Sequence, residues 1–221
     1  MKSIVLSLAL LLVITLTGAQ ENNTELRTIF GSTEGKSHGG YGAVMINYSE
    51  IMDRDALLIG ARGAWVVDHN FGIGLGGYGF MTDPQWDNVL NEEYQVSGGY
   101  GGILVEPIVG AKSPVHLSFP ILIGAGGVAY NQHWQENEDN DYDDENYEDS
   151  DAFFVIEPGI ELEFNMIKFM RMGLSVSYRY TSDINLSYRT STLNKPNPNV
   201  IGSADMLRGF NFGLVMKFGK F

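Results

Sequence analysis

The sequence predicts an all-β fold, an eight-stranded antiparallel up-and-down transmembrane β-barrel, and two patterns carry that prediction. The first is a period-two alternation over Ala152 to Tyr180. Phe154, Ile156, Pro158, Ile160, Leu162 and Phe164 form one apolar row, with Glu157, Glu161 and Glu163 in the row between. After a turn at Asn165 to Ile167, Met170, Met172, Leu174, Val176, Tyr178 and Tyr180 alternate with Arg171, Gly173, Ser175, Ser177 and Arg179. Successive side chains of a strand point to opposite faces, so this is a hairpin with one apolar and one charged face. Each run is about a dozen residues, enough to cross a bilayer as a tilted strand. The second pattern is a regular alternation of short and long connections between further segments of the same kind.

In chain order, Lys2 precedes an apolar run from Ile4 to Leu16, and Thr17-Gly18-Ala19 supplies the small residues of a signal-peptidase site. Residues 1–19 are read as a cleaved signal peptide, too short for a comfortable helical span. Residues 20–36 are polar and unpatterned, a periplasmic lead-in, and 37–221 form the barrel. A first strand is expected over His38 to Tyr48, with Val44, Ile46 and Tyr48 on one face and Ala43, Met45 and Asn47 on the other. Glu50 to Asp55 is a short connection. The second strand, Ala56 to Val67, turns Leu57, Ile59, Ala61, Trp65 and Val67 outward and Gly60, Arg62 and Ala64 inward. After a tight turn at Asp68-His69-Asn70 comes Phe71 to Met81. There the outward row Phe71, Ile73, Leu75 changes parity before Tyr78 and Phe80, which suggests a bulge at Gly76-Gly77. Tyr94 to Val109, Val115 to Tyr130, the Ala152 to Tyr180 hairpin and a last strand to Phe221 complete eight.

Connections after the second, fourth and sixth strands are short, and those after the third, fifth and seventh are long. Outer-membrane barrels have short periplasmic turns and longer extracellular loops. On that rule Lys112, Lys168, Lys217 and Lys220 cluster at the periplasmic ends, opposite the acidic segment Gln132 to Asp151. In the last strand Phe210, Phe212, Leu214, Met216 and Phe218 alternate with Asn211, Gly213, Val215, Lys217 and Gly219, which resembles the C-terminal insertion signal of bacterial outer-membrane proteins. Phe218 keeps phase and Phe221 does not. The chain from 37 onward is similar to the small barrels of the OmpA/OmpX type. That resemblance implies a porin-like shape and the outer membrane of a Gram-negative cell, and it brings no catalytic motif.

Composition narrows the remaining classes. With 27 Asp plus Glu against 14 Lys plus Arg, the chain lacks the basic footprint of a nucleic-acid binder. It has no Cys, which excludes disulfides, thiolate metal sites and a lipidated N-terminal Cys.

Three groups are candidates for chemistry. Arg62, Glu106, Glu157, Glu161, Glu163, Arg171 and Arg179 are expected inside the barrel as a charge network, either a proton or ion path or a plug of paired charges, since eight strands leave room only for their own side chains. A three-residue turn would set Glu161 opposite Arg171, and a shift of two would set Glu163 there. Ten of the sixteen residues from Glu136 to Asp151 are acidic, and Asp139, Asp141, Asp143 and Glu145 have the spacing of early calcium-loop ligands. Asp144 stands where such a loop needs Gly and Ser150 where it needs Glu, so the expectation is weak divalent-cation binding, bridging to lipopolysaccharide phosphates, set against a solvated acidic loop. Of the histidines, His38, His69 and His116 fall on the periplasmic side and His133 stands outside without a partner Ser, so neither an enzyme nor a cofactor is expected. The expected role is a monomeric, non-enzymatic outer-membrane barrel acting structurally or through loops 132–151 and 182–204, with outer-membrane lipid and lipopolysaccharide as its surroundings. A lipid-modifying barrel enzyme and a soluble lipocalin-like barrel are the alternatives. A lipocalin would carry its apolar face inside.

Overall fold

Met52 and Asp53 both have positive φ, 56° and 57°, and join Ile51 to its cross-strand partner Arg54. A two-residue turn with this backbone matches the right-handed twist of the strands it links. Glu50 and Asp55 therefore pair in the ladder instead of forming a connection. The computed structural model describes residues 37–133, 147–188 and 200–221. Segments 1–19 and 20–36 and the cation candidates Asp139, Asp141, Asp143 and Glu145 lie outside the described residues.

The strands are β1 (His38–Ile51), β2 (Arg54–Val67), β3 (Phe71–Thr82), β4 (Gln85–Asp87), β5 (Glu92–Val109), β6 (Val115–Ser118), β7 (Ile121–Gln132), β8 (Tyr147–Ile167), β9 (Met170–Thr181) and β10 (Gly209–Lys220). β6 and β7 are one barrel strand. Ile108 pairs with Ser118 and Val105 with Ile121 in the same register, and β8 keeps its register from Glu161 at Ser118 to Pro158 at Ile121. The expected single strand Val115 to Tyr130 breaks at Phe119-Pro120 because Pro120 has no N–H to donate. Among the described residues β4 pairs only with the start of β5, and it belongs to the connection after β3. What remains is eight strands, each antiparallel to its neighbours, with β1 bonded to both β2 and β10 and β3 to β5. The ring closes: the chain is an eight-stranded up-and-down β-barrel.

Its polarity is inside-out relative to a soluble barrel. Ile59, Ile46, Leu214, Leu174, Leu162 and Leu117 are consecutive cross-strand partners around six strands. All six are exposed, Ile59 at 59% and Leu162 at 37%. Inside, Glu106, Glu163, Arg179 and Lys217 are each at most 1% exposed. At the end bearing the long loops the lumen is filled by an apolar cluster in which Ile184, Leu186, Met206 and Leu207 from the segment after β9 pack with Ile51, Leu58 and Tyr130. Toward the short turns Tyr41, Met45, Val66, Leu104 and Val215 surround the charges.

Two expectations about register give way. The β2–β3 and β3–β5 registers run through Gly76 and Gly77 without a shift, so there is no bulge there. Tyr78 and Phe80 point inward instead, packing on Tyr100 with ring centroids 5.4 and 6.3 Å away. Gly60, opposite Tyr78, makes this possible, since a Cβ there would collide with the Tyr78 ring. In the β8–β9 hairpin the turn is Lys168-Phe169, with a bulge between Asn165 and Ile167, and Arg171 lies opposite Asn165 rather than Glu161 or Glu163. Asn165 explains the delay. Its backbone N–H donates to Pro114 O at 2.9 Å and its side-chain amide to Ser113 O at 2.7 Å, which ties it to the neighbouring turn and carries the strand past it.

Candidate functional site

The register brings the lumen charges together from opposite walls. Arg62 on β2, Ala43 on β1, Lys217 on β10 and Arg171 on β9 form one cross-strand row, three cations around one small residue. Glu106 on β5 and Glu161 and Glu163 on β8 come from the rest of the ring, with Ser118 and His116 of β6 paired to the two β8 glutamates. Arg62 Nη2 donates to Glu161 Oε2 at 2.5 Å and reaches Glu106 Oε1 at 3.5 Å. Lys217 Nζ lies between all three carboxylates, donating to Glu106, to Glu163 at 2.5 Å and to Glu161 at 3.1 Å. Arg171 Nη1 stands 3.7 Å from Glu163 Oε2, a diagonal contact across the hairpin.

Space for these long side chains comes from β3. Gly72 faces Glu106 and Gly76 faces Arg62, whose Cβ would lie 2.9 Å from a Cβ at Gly76. Tyr41 donates its hydroxyl to Glu106, and its ring lies 4.9 Å from Lys217 Nζ. Toward the turns, the Arg171 guanidinium stacks 3.8 Å over the Phe221 ring, and Tyr41 stacks on Phe221 with centroids 5.9 Å apart. Phe221 is thus out of phase with Phe218 because it folds over the mouth while Phe218 stays outside.

Glu157 and Arg179 form a second level and make no ion pair among the described residues. Glu157 accepts from Tyr100 Oη at 2.5 Å, Ser177 Oγ at 2.6 Å and Asn211 Nδ2 at 2.9 Å. Arg179 donates to Leu207 O at 2.6 Å and to Asn211 Oδ1 at 3.3 Å. Asn211 bridges the two, so their charges meet through an amide.

The loop-length rule sets Lys217 among the periplasmic lysines, and the structure puts it at the centre of the lumen instead. The sequence does carry the signal, since Lys217 shares its parity with Asn211, Gly213 and Val215, all on the inner row. Tyr41, Ser118, His116 and Asn211 also join the site, although no motif points to them.

Two chemistries can be weighed on this geometry. Carboxylate oxygens of Glu106, Glu161 and Glu163 lie within 4.8 Å of one another, close enough to share a metal ion. The ammonium of Lys217 already bonds to all three, and Arg62, Lys217 and Arg171 balance their charge. Ser118, His116 and a glutamate also meet, but in the wrong order for nucleophilic catalysis. Ser118 Oγ donates to Glu163 at 2.5 Å and His116 Nε2 lies 3.1 Å from the same carboxylate, so the acid sits where the imidazole would have to be. Both residues are buried, Ser118 fully.

At the loop end, over the apolar cluster in the lumen, Asp87 on β4 accepts from Tyr130 Oη at 2.9 Å, Tyr188 Oη at 2.8 Å and Val89 N at 2.7 Å. Burial alone would push this carboxyl up, but the bonds from Tyr188, Val89, Tyr130 and Leu90 outweigh it and hold it below its ordinary value.

No family model matches the chain, and no curated protein matches it. Among solved structures it is similar to outer-membrane β-barrels. The N-terminal β-barrel domain of Pseudomonas aeruginosa OprF aligns at 9% identity over 82% of this chain and 96% of that one, with a TM-score of 0.44. Neisserial surface protein A aligns at 7% identity over 85% of this chain and 100% of that one, TM-score 0.48. The attachment invasion locus protein Ail of Yersinia pestis, solved with the heparin analogue sucrose octasulfate, aligns at 10% identity over 82% of this chain and 97% of that one, TM-score 0.44. The barrel itself rests on the hydrogen-bonded ring of its own strands.

Proposed function

We propose that this chain is a non-enzymatic outer-membrane β-barrel of a Gram-negative envelope, exported by a cleaved signal peptide over 1–19 and inserted as a monomer. One observation carries the reading: a continuous apolar exterior around a lumen filled with mutually bonded charges. Water on the outside would leave the leucine and isoleucine row solvated, whereas hydrocarbon satisfies it. The lumen charges act as a plug, because Arg62, Lys217 and Arg171 are paired with Glu106, Glu161 and Glu163 across it. Function is then assigned to the loop end, where segments 132–151 and 182–204, apart from the Ile184 and Leu186 side chains that cap the lumen, contact lipopolysaccharide, with divalent cations at Asp139, Asp141, Asp143 and Glu145 bridging to its phosphates. The long and short connections support this orientation. A lipid-modifying activity is disfavoured by the buried, misordered Ser118–Glu163–His116 arrangement, and a lipocalin-like soluble barrel by the apolar exterior. Membrane fractionation with gel mobility before and after heating tests the proposal. Retention by the outer membrane with a heat-dependent band shift is expected, and extraction into detergent-free buffer would rule it out.

A further inference from the structure

Between the two charged levels lies a cavity of about 30 Å3, lined among others by Asn47, Arg62, Glu157, Glu161, Ser175 and Ser177. Two polar atoms on these residues, Arg62 Nε and Asn47 Oδ1, are buried and have no hydrogen-bond partner among the described residues. Buried polar groups are nearly always bonded to protein or to water. A water molecule needs about 10–15 Å3 of such volume and two to four polar partners, so this cavity has room for about two.

We propose that the cavity is a hydration site holding about two water molecules, which join the Arg62–Glu161 level to the Glu157–Asn211 level in one hydrogen-bonded column. Water accepts from Arg62 Nε and donates to Asn47 Oδ1. The hydroxyls of Ser175 and Ser177 and the spare lone pairs of the two glutamates complete its partners. Neither an anion nor a cation is required, because the neighbouring charges are already balanced. The site depends only on the lumen and is independent of where the barrel resides.

Magnetisation transfer from water to amides in the 15N,2H-labelled barrel, folded in micelles, tests this. Gly76, Gly77 and Gly159, whose residues line the cavity, are expected to show cross-peaks with the sign of long-lived water. Xenon under pressure should leave those amides unshifted, since polar hydrated cavities do not take it up. Ser175→Val fills the space with methyl groups and should abolish the water cross-peaks while heat-modifiable mobility is kept. Missing cross-peaks in the wild type, or xenon shifts at Gly76 and Gly159, would mean a dry cavity and overturn the proposal. Cross-peaks unchanged by Ser175→Val would trace to hydroxyl exchange from Ser177 or Tyr78 and would overturn it equally. Should Ser175→Val fail to fold, the two wild-type measurements decide alone.

Discussion

Lys217 is the side chain on which the lumen charges depend most. It bonds to three carboxylates at 1% exposure, whereas Arg171 holds one of them at 3.7 Å near the mouth. Removing one partner from a buried ion pair strands the other charge, at about 3–5 kcal/mol. Lys217→Met is therefore expected to destabilise the barrel by about that amount in urea unfolding in micelles, and Arg171→Leu by clearly less. Adding Glu163→Gln to Lys217→Met restores neutrality and should recover part of the loss, a coupling that a double-mutant cycle reads directly. If Lys217→Met unfolds like wild type, the ammonium is not held among the carboxylates.

Asp87 gives a pH dependence at the loop end. Its carboxyl is depressed below 3.8, so the stability it contributes is present above that pH and is lost as pH falls through the lower folded value. Near-ultraviolet circular dichroism from Tyr130 and Tyr188 should weaken on acidification below 3.8. In Asp87→Asn the signal should be smaller and flat across that window.

At the scale of elements, carboxylates extend the β8–β9 hairpin past the end of its ladder. Asp151 Oδ2 accepts from Asn185 N at 2.8 Å and Asp149 Oδ2 from Ser187 N at 2.7 Å, so side chains hold the segment that caps the lumen. Asp149→Ala together with Asp151→Ala is expected to raise hydrogen exchange at Asn185 and Ser187 and leave the amides of Val176 and Leu174 protected. Equal protection in both proteins would place the hold in the apolar contacts of Ile184 and Leu186. Strand parity is legible in the sequence wherever large apolar residues alternate, as in β1, β2 and β8, and it puts Arg62, Glu161 and Glu163 inward. It misleads where glycine removes the contrast. In β3, Gly77 and Gly79 occupy the outer row, and the inward rings of Tyr78 and Phe80 mimic a change of phase. The β8–β9 register is hidden because Asn165 is fixed by carbonyls more than fifty residues away in sequence. Lys217 is different: its parity already places it on the inner row, but its place near the end of a strand makes a lysine read as a rim charge.

For the whole molecule, the deciding question is which side of the wall meets hydrocarbon. The sequence has no Cys, so a single introduced thiol carries a unique spin label. Ile59, Ile46 and Leu214 are neighbours at one level of the outer face, and Val89 lies in the loop beyond β4. In barrels reconstituted in bilayers, labels at Ile59→Cys, Ile46→Cys and Leu214→Cys are expected to collide readily with oxygen and rarely with a water-soluble nickel chelate, with Val89→Cys showing the reverse. High nickel accessibility at all three wall positions would put water against the apolar row and contradict the membrane reading of this barrel.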